Sequence, residues 1–200
     1  CLYEDSNREL WLGSYFDGLA RMNKQTGVCQ DATSLLQGNL SAGKPKVSCI
    51  IEDKDKNLWV GTYGSGLYKI NLPTQHVTYY ESTRNENDDW SINRLPNDWI
   101  SCLLEDKEGM IWIGTYKGLA VLNPQTDNFI NYKKQNNLLP GYVVYSLLES
   151  TNGDIWAGTS EGLVCLNKDK LVPVLFTTAD GLPSDIICGL AEDEEKNIWI

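Results

Sequence analysis

Four stretches of the chain spell nearly the same thing: ELWLGSYFDGLARMN from residue 9, NLWVGTYGSGLYKIN from 57, MIWIGTYKGLAVLN from 110 and DIWAGTSEGLVCLN from 154. A further NIWI stands at 197–200. The anchor residues Trp11, Trp59, Trp112, Trp156 and Trp199 are spaced by 43 to 53 residues. An internal repeat of that length constrains the fold more than any other feature, because each copy must be one supersecondary unit that buries its apolar face on the next. Periods in the forties belong to propeller blades rather than to short helical repeats.

Aligned on its tryptophan, each copy carries Cys1, Cys49, Cys102, Ser146 or Gly189 ten positions earlier, and Glu4, Glu52, Glu105, Glu149 or Glu192 seven positions earlier. Asp follows that Glu in four copies and Ser150 in the fourth. Each copy reads as four short strands. In the third they are 100–105, 111–115, 118–123 and 128–133, separated by turn residues at 106–109, 116–118 and 123–124. β-Branched and aromatic residues dominate, with no sustained helical periodicity. Several strands are apolar on both faces, as a blade held between two others requires. The fold expected is an all-β propeller of four-stranded antiparallel blades, placed at 1–46, 47–98, 99–141, 142–184 and 185–200 of one domain, 1–200. Four blades and part of a fifth suggest a piece of a larger ring, with exposed blade faces able to self-associate. The tryptophans are expected to fill the space between blades, and Gly13, Gly61, Gly114 and Gly158 to let a neighbouring backbone approach.

Composition narrows the partners. With 17 basic and 27 acidic residues the formal net charge is −10, and the longest basic run is Lys133-Lys134. Neither nucleic acid nor an anionic membrane surface suits such a chain. The six cysteines lack metal spacing, and His76 is the single histidine, so no zinc site and no cofactor is expected. Cys1, Cys49 and Cys102, at equivalent strand positions, read as small buried hydrophobes and free thiols.

The motif I-I-E-D at 50–53, followed by L-W-V-G-T at 58–62 and Gly66-Leu67, resembles the two-component regulator propeller repeat. The likeness recurs at 103–106, 111–115 and 118–119, and an L-P-N-D or G-L-P-S-D element precedes two copies, at 95–98 and 181–185. The resemblance implies a seven-bladed propeller in the periplasmic sensor region of a Bacteroides-type hybrid regulator. It implies adjacent propeller and β-sandwich domains, a membrane helix and a cytoplasmic histidine kinase elsewhere in the parent chain, and glycan fragments as ligands.

Ligand residues should lie where the repeat is broken. Trp90 has no counterpart in the other copies and sits in the long connection 81–98 with Arg84 and Arg94. A flat indole among Asn and Asp suits a sugar, whose C–H face it covers while amides and carboxylates meet hydroxyls. Trp99 takes the position of Val143 and Ile186 near the same mouth. Tyr15, Tyr63 and Tyr116 occupy the hairpins after the anchor strands, where Ser160 interrupts the series. These seven residues form the expected ligand set, for an oligosaccharide.

Chemistry is a weaker reading. Successive Glu and Asp on a strand point to opposite faces, so the repeated pair does not converge as a catalytic dyad or a calcium site. His76, in the turn before a blade's last strand, is peripheral. The function expected is a non-catalytic extracytoplasmic sensor that binds a carbohydrate and relays occupancy to a kinase. A propeller lyase or hydrolase and a protein-binding scaffold are the alternatives.

Overall fold

The computed structural model describes residues 1–36, 43–82, 94–132, 139, 143–167 and 173–200. They form two compact units, one comprising Cys1–Asn87 with Asn97–Ile100, the other Asp88–Pro96 with Ser101–Ile200. The architecture is all-β, and each unit contains two propeller blades.

In the first unit, β1 (Leu2–Glu4), β2 (Leu10–Ser14), β3 (Gly18–Met22) and β4 (Cys29–Asp31) form one antiparallel sheet in chain order. A second consists of β5 (Val47–Glu52), β6 (Asn57–Thr62), β7 (Leu67–Asn71) and β8 (His76–Tyr80). In the second unit, β9 (Ile100–Glu105), whose first residue belongs to the first unit, joins β10 (Ile111–Thr115), β11 (Gly118–Asn123) and β12 (Asn128–Tyr132). Then follow β13 (Val144–Glu149), β14 (Ile155–Thr159), β15 (Gly162–Leu166) and β16 (Val174–Phe176), and a two-stranded pair of β17 (Ala191–Glu192) with β18 (Ile198–Trp199). The sequence-expected strands of the third copy coincide with β9 to β12 over the described residues, the expected last residue of the fourth strand, at 133, lying outside them. His76 is the first residue of β8 rather than part of the turn before it.

The cores lie between blades. Trp11 and Leu19 of the first blade share a buried cluster with Ile50, Leu58, Val60, Tyr68 and Ile70 of the second. Trp112, Leu119 and Val121 do the same with Val144, Ile155, Ala157 and Val164 in the other unit. Each fully buried aliphatic side chain contributes about 1.5–3 kcal/mol, so face-to-face packing of blades is the main stabilising term. The anchor rings also stack within their own blade on its outer strand. Trp59 lies on Tyr80 at 5.9 Å, Trp112 on Tyr132 at 6.0 Å and Trp156 on Phe176 at 5.9 Å.

The glycine two positions after each tryptophan has a definite reason. A Cβ on Gly61 would stand 2.5 Å from the Cys49 sulfur and 2.7 Å from a methyl of Ile100. On Gly114 it would meet Cys102 at 2.3 Å and Val144 at 3.0 Å. What approaches is thus mostly side chain, one from the blade's own first strand and one from the start of the next blade's first strand. At Gly158 an added Cβ would stand 2.5 Å from the Ile187 carbonyl oxygen, which is the backbone approach expected from the sequence.

The repeated Glu-Asp pair divides its labour, as residues on opposite faces of a strand must. Glu52 accepts from the Ser6 backbone N–H at 2.7 Å and the Ser6 hydroxyl at 3.0 Å, reaching the preceding blade. Glu149 accepts the Lys107 N–H at 3.0 Å, and Glu192 the Thr151 N–H at 2.8 Å. The Asp turns inward, capping its own loop and accepting the indole N–H of its blade, as in Asp5 with Trp11 and Asp106 with Trp112.

Candidate functional site

The hairpins between the second and third strands are built alike. In the first unit, the Ser14 hydroxyl accepts the N–H groups of Phe16 at 3.2 Å and Asp17 at 3.1 Å, and it donates to the Asp17 carboxylate at 3.2 Å. In the second blade Thr62 donates to the Gly66 carbonyl at 2.8 Å and accepts from Ser65 N–H at 3.0 Å. Thr115 and Thr159 tie their hairpins in the same manner. A short polar side chain that satisfies a turn locally leaves the next residue free to project. That next residue is Tyr15, Tyr63, Tyr116 or Ser160.

The structure brings three of the sequence-expected residues together in the first unit. Tyr15 and Tyr63 have ring centroids 5.9 Å apart, and Tyr63 and Trp99 are 6.3 Å apart and near-perpendicular. Trp99 is 50% exposed and Tyr15 47% exposed. Trp99 is held from behind: it forms an isolated β-bridge with Tyr63, and its N–H donates to the Asn97 side chain at 3.0 Å. The carbonyl of Asp98 accepts the N–H groups of Gly64 at 2.9 Å and Gly66 at 3.1 Å, while its carboxylate accepts from the backbone and hydroxyl of Ser82. The L-P-N-D element is therefore an anchor that fixes the end of the long connection on the hairpin. Asp185 repeats the arrangement with Thr178. Gly64, at φ +95, leaves space for the indole; a Cβ there would stand 3.2 Å from Trp99 Nε1.

Two residues of this rim were not singled out from the sequence. Phe16, 81% exposed, sets its ring edge-on to Tyr15 at 5.1 Å. Lys46 places its ammonium 4.7 Å from the Tyr15 ring centroid and donates to the Tyr15 hydroxyl at 3.4 Å. The signal was present, since Lys46 lies three residues before Cys49 as Trp99 lies three before Cys102. Each covers a hairpin tyrosine, Lys46 over Tyr15 and Trp99 beside Tyr63.

The remaining expectations fall elsewhere. Tyr116, partly buried, belongs to the second unit. Arg94 is exposed, and its carbonyl accepts the Asn131 amide at 3.0 Å. Trp90 and Arg84 lie outside the described residues. His76 is exposed on an outer strand, with its backbone N–H bonded to Thr74 at 3.3 Å. The described cysteines are free thiols, and burial pushes the Cys102 thiol up to about 12. No group of His, Cys, Asp and Glu among the described residues is placed to hold a metal ion. Exposed ring faces beside hydroxyls and an ammonium can stack and hydrogen-bond a polyhydroxylated molecule.

A family model described as two component regulator propeller matches residues 43–64, 94–117 and 138–161. Three segments of the chain thus match the two-component regulator propeller repeat. The matched segments include Lys46, Tyr63 and Trp99 of the rim. Among solved structures, the extracellular domain of the hybrid two-component system BT3049 from B. thetaiotaomicron is 19% identical with a TM-score of 0.72, covering 100% of this chain and 25% of that one. The corresponding domain of BT4673 from B. thetaiotaomicron is 25% identical with a TM-score of 0.72, covering 96% and 24%. A catalytically inactive virginiamycin B lyase from Staphylococcus aureus, solved with quinupristin, is 13% identical with a TM-score of 0.66, covering 99% and 61%. This chain thus spans about a quarter of the two-component structures, and its fold is shared with those extracellular domains and with an enzyme. No curated protein matches it. Among the described residues, no helix is long and apolar enough to cross a membrane.

Proposed function

We propose that this chain is the ligand-recognising part of an extracytoplasmic sensor propeller in a two-component regulator, located in the periplasm and binding a carbohydrate without turning it over. The observation that carries the reading is the row of Tyr15, Tyr63 and Trp99, in which the two outer rings are about half exposed and Tyr63 between them is partly buried and held by its backbone. Large exposed aromatics of this kind mark ligand surfaces rather than cores. The repeat match and the likeness to extracellular two-component domains support the sensor role. On sequence grounds, Trp90 and Arg84, in the long connection 81–98, are further candidates for ligand contact.

Signalling then requires the saccharide to favour one arrangement of the parent protein over another. Adjacent propeller and β-sandwich domains would read that arrangement and pass it to a histidine kinase. Leu2, Ile186 and Trp199, at 67%, 57% and 64% exposure, offer apolar surface for such domains or for a second copy. Calorimetry of a glycan-fragment panel against the chain, with Trp99→Ala and Trp90→Ala alongside, tests the reading. Saturable binding weakened by either substitution is expected. A panel that gives no heat with any saccharide would overturn it.

A further inference from the structure

Lys46 is out of keeping with its position. The equivalent residues in the following copies are Trp99, Val143 and Ile186, all apolar. Lys46 instead sets an ammonium at the rim, against the Tyr15 ring and hydroxyl. Its stem follows a buried Pro45 and precedes buried Val47, the first residue of β5, so the side chain leaves a fixed backbone. That backbone is itself clamped, since the Lys46 carbonyl accepts the Tyr63 N–H at 2.8 Å.

The charge has no carboxylate partner among the described residues. Three other cations of the same unit are paired: Lys24 with Glu4 at 2.7 Å, Lys44 with Asp31 at 3.2 Å and Arg21 with Glu9 at 3.6 Å. The carboxylates closest in sequence to this rim are engaged elsewhere, Asp17 with Ser14 and Asp98 with Ser82. In a chain of net charge −10, this ammonium, with no carboxylate in ion-pair range among the described residues, lies beside a row of rings. The rings run on from it, Tyr15 to Tyr63 at 5.9 Å and Tyr63 to Trp99 at 6.3 Å. Such a row is longer than one sugar ring and has its charge at one end.

We infer that the ligand is an acidic oligosaccharide, with a carboxylate or sulfate on the Lys46 ammonium and sugar faces stacked on Tyr63 and Trp99. This rests on the carbohydrate reading of the rim. An anion gains a charge-assisted hydrogen bond at Lys46, while a neutral sugar gains only the stacking. The rings alone would not distinguish the two.

The test uses matched pairs in calorimetry on the full chain: uronate-containing oligosaccharides with their carboxyl-reduced forms, and sulfated oligosaccharides with their desulfated forms. The acidic member of one pair should bind about tenfold more tightly, the scale of one hydrogen bond to a charged group, and its affinity should fall with added salt. Which pair discriminates tells carboxylate from sulfate. Lys46→Gln should bring the acidic member down to the level of its neutral counterpart, and Lys46→Arg should keep the preference. Lys46 is exposed, so neither change should disturb folding. Equal binding of acidic and neutral members, or a preference that survives Lys46→Gln, overturns the inference and leaves the saccharide sensor standing. Binding of neither member of any pair overturns both.

Discussion

The indole N–H of Trp59 donates to the Asp53 carboxylate at 2.7 Å, and both residues are buried. The same carboxylate accepts the Asn57 backbone N–H at 2.8 Å and its side-chain amide at 2.9 Å. Asp53→Ala would leave several buried donors without an acceptor, each costing about 1–3 kcal/mol. A loss of about 3 kcal/mol or more is expected in urea unfolding. Asp193 makes the same bonds to Asn197 and Trp199, but in solvent. Asp193→Ala should therefore cost far less, and equal losses at the two sites would refute burial as the cause.

The fold was legible because the repeat is written in residues whose packing is local. Trp, Gly and the alternating strands recur at fixed offsets, and each offset corresponds to one contact. The indole-to-carboxylate bond was legible too, and was missed: Asp5, Asp53, Asp106 and Asp193 each stand six residues before the tryptophan they serve. Sequence reasoning treated the aspartate as half of a Glu-Asp pair whose carboxylates diverge. The rim was half legible. Tyr15 and Tyr63 were found as members of a recurring hairpin series and Trp99 by its place near the mouth of the long connection, and the structure sets the three side by side. Lys46 was not, because a lone lysine ahead of a strand looks like ordinary solvated surface until its neighbouring ring is seen.

Ser146 replaces the cysteine of the first three copies, and its hydroxyl is buried without a hydrogen-bond partner. It sits over Gly158 as Cys49 sits over Gly61, the distances to an added Cβ being 2.4 Å and 2.5 Å. A thiol fits the same space and is less costly to bury unpaired than a hydroxyl. Ser146→Cys is expected to raise stability by about 1 kcal/mol, measured as an increased thermal or urea midpoint. A decrease would mean that the hydroxyl is better satisfied than its surroundings indicate.

Burial pushes the Cys102 thiol up to about 12, and it pushes the Tyr68 phenol, with a contribution from Glu81, to about 12 as well. Both groups are neutral in the folded protein and ionise more readily in the unfolded chain. Their contribution is fully present below about pH 9 and is lost as pH rises from there toward about 12. Each group that ionises only on unfolding removes about 1.4 kcal/mol per pH unit. Urea midpoints should hold steady from about pH 7 to about 8.5 and then fall, with a shallower fall in Cys102→Ala. At about pH 8, alkylation followed by mass mapping should label exposed Cys1, Cys29 and Cys188 before Cys102 and buried Cys165.

Gly64 is the residue through which the shape of the rim can be changed without touching a ring. Its φ of +95 strains any side chain, and a Cβ would crowd Trp99 Nε1 at 3.2 Å. Trp99, half exposed, must then shift by a few tenths of an ångström, which disturbs its edge contact with Tyr63. Gly64→Ala should therefore cost about 1 kcal/mol of stability from backbone strain. It should weaken saccharide binding by more than that loss can explain, since the protein remains folded at assay temperature. Near-UV circular dichroism would report the displaced indole, and Gly64→Ala should leave that spectrum unchanged when it is made in a Trp99→Ala background. If Gly64→Ala binds saccharide as tightly as the parent chain, the Tyr63–Trp99 edge is not where the ligand stacks. Binding would then rest on Tyr15 and Lys46, which the alanine does not reach.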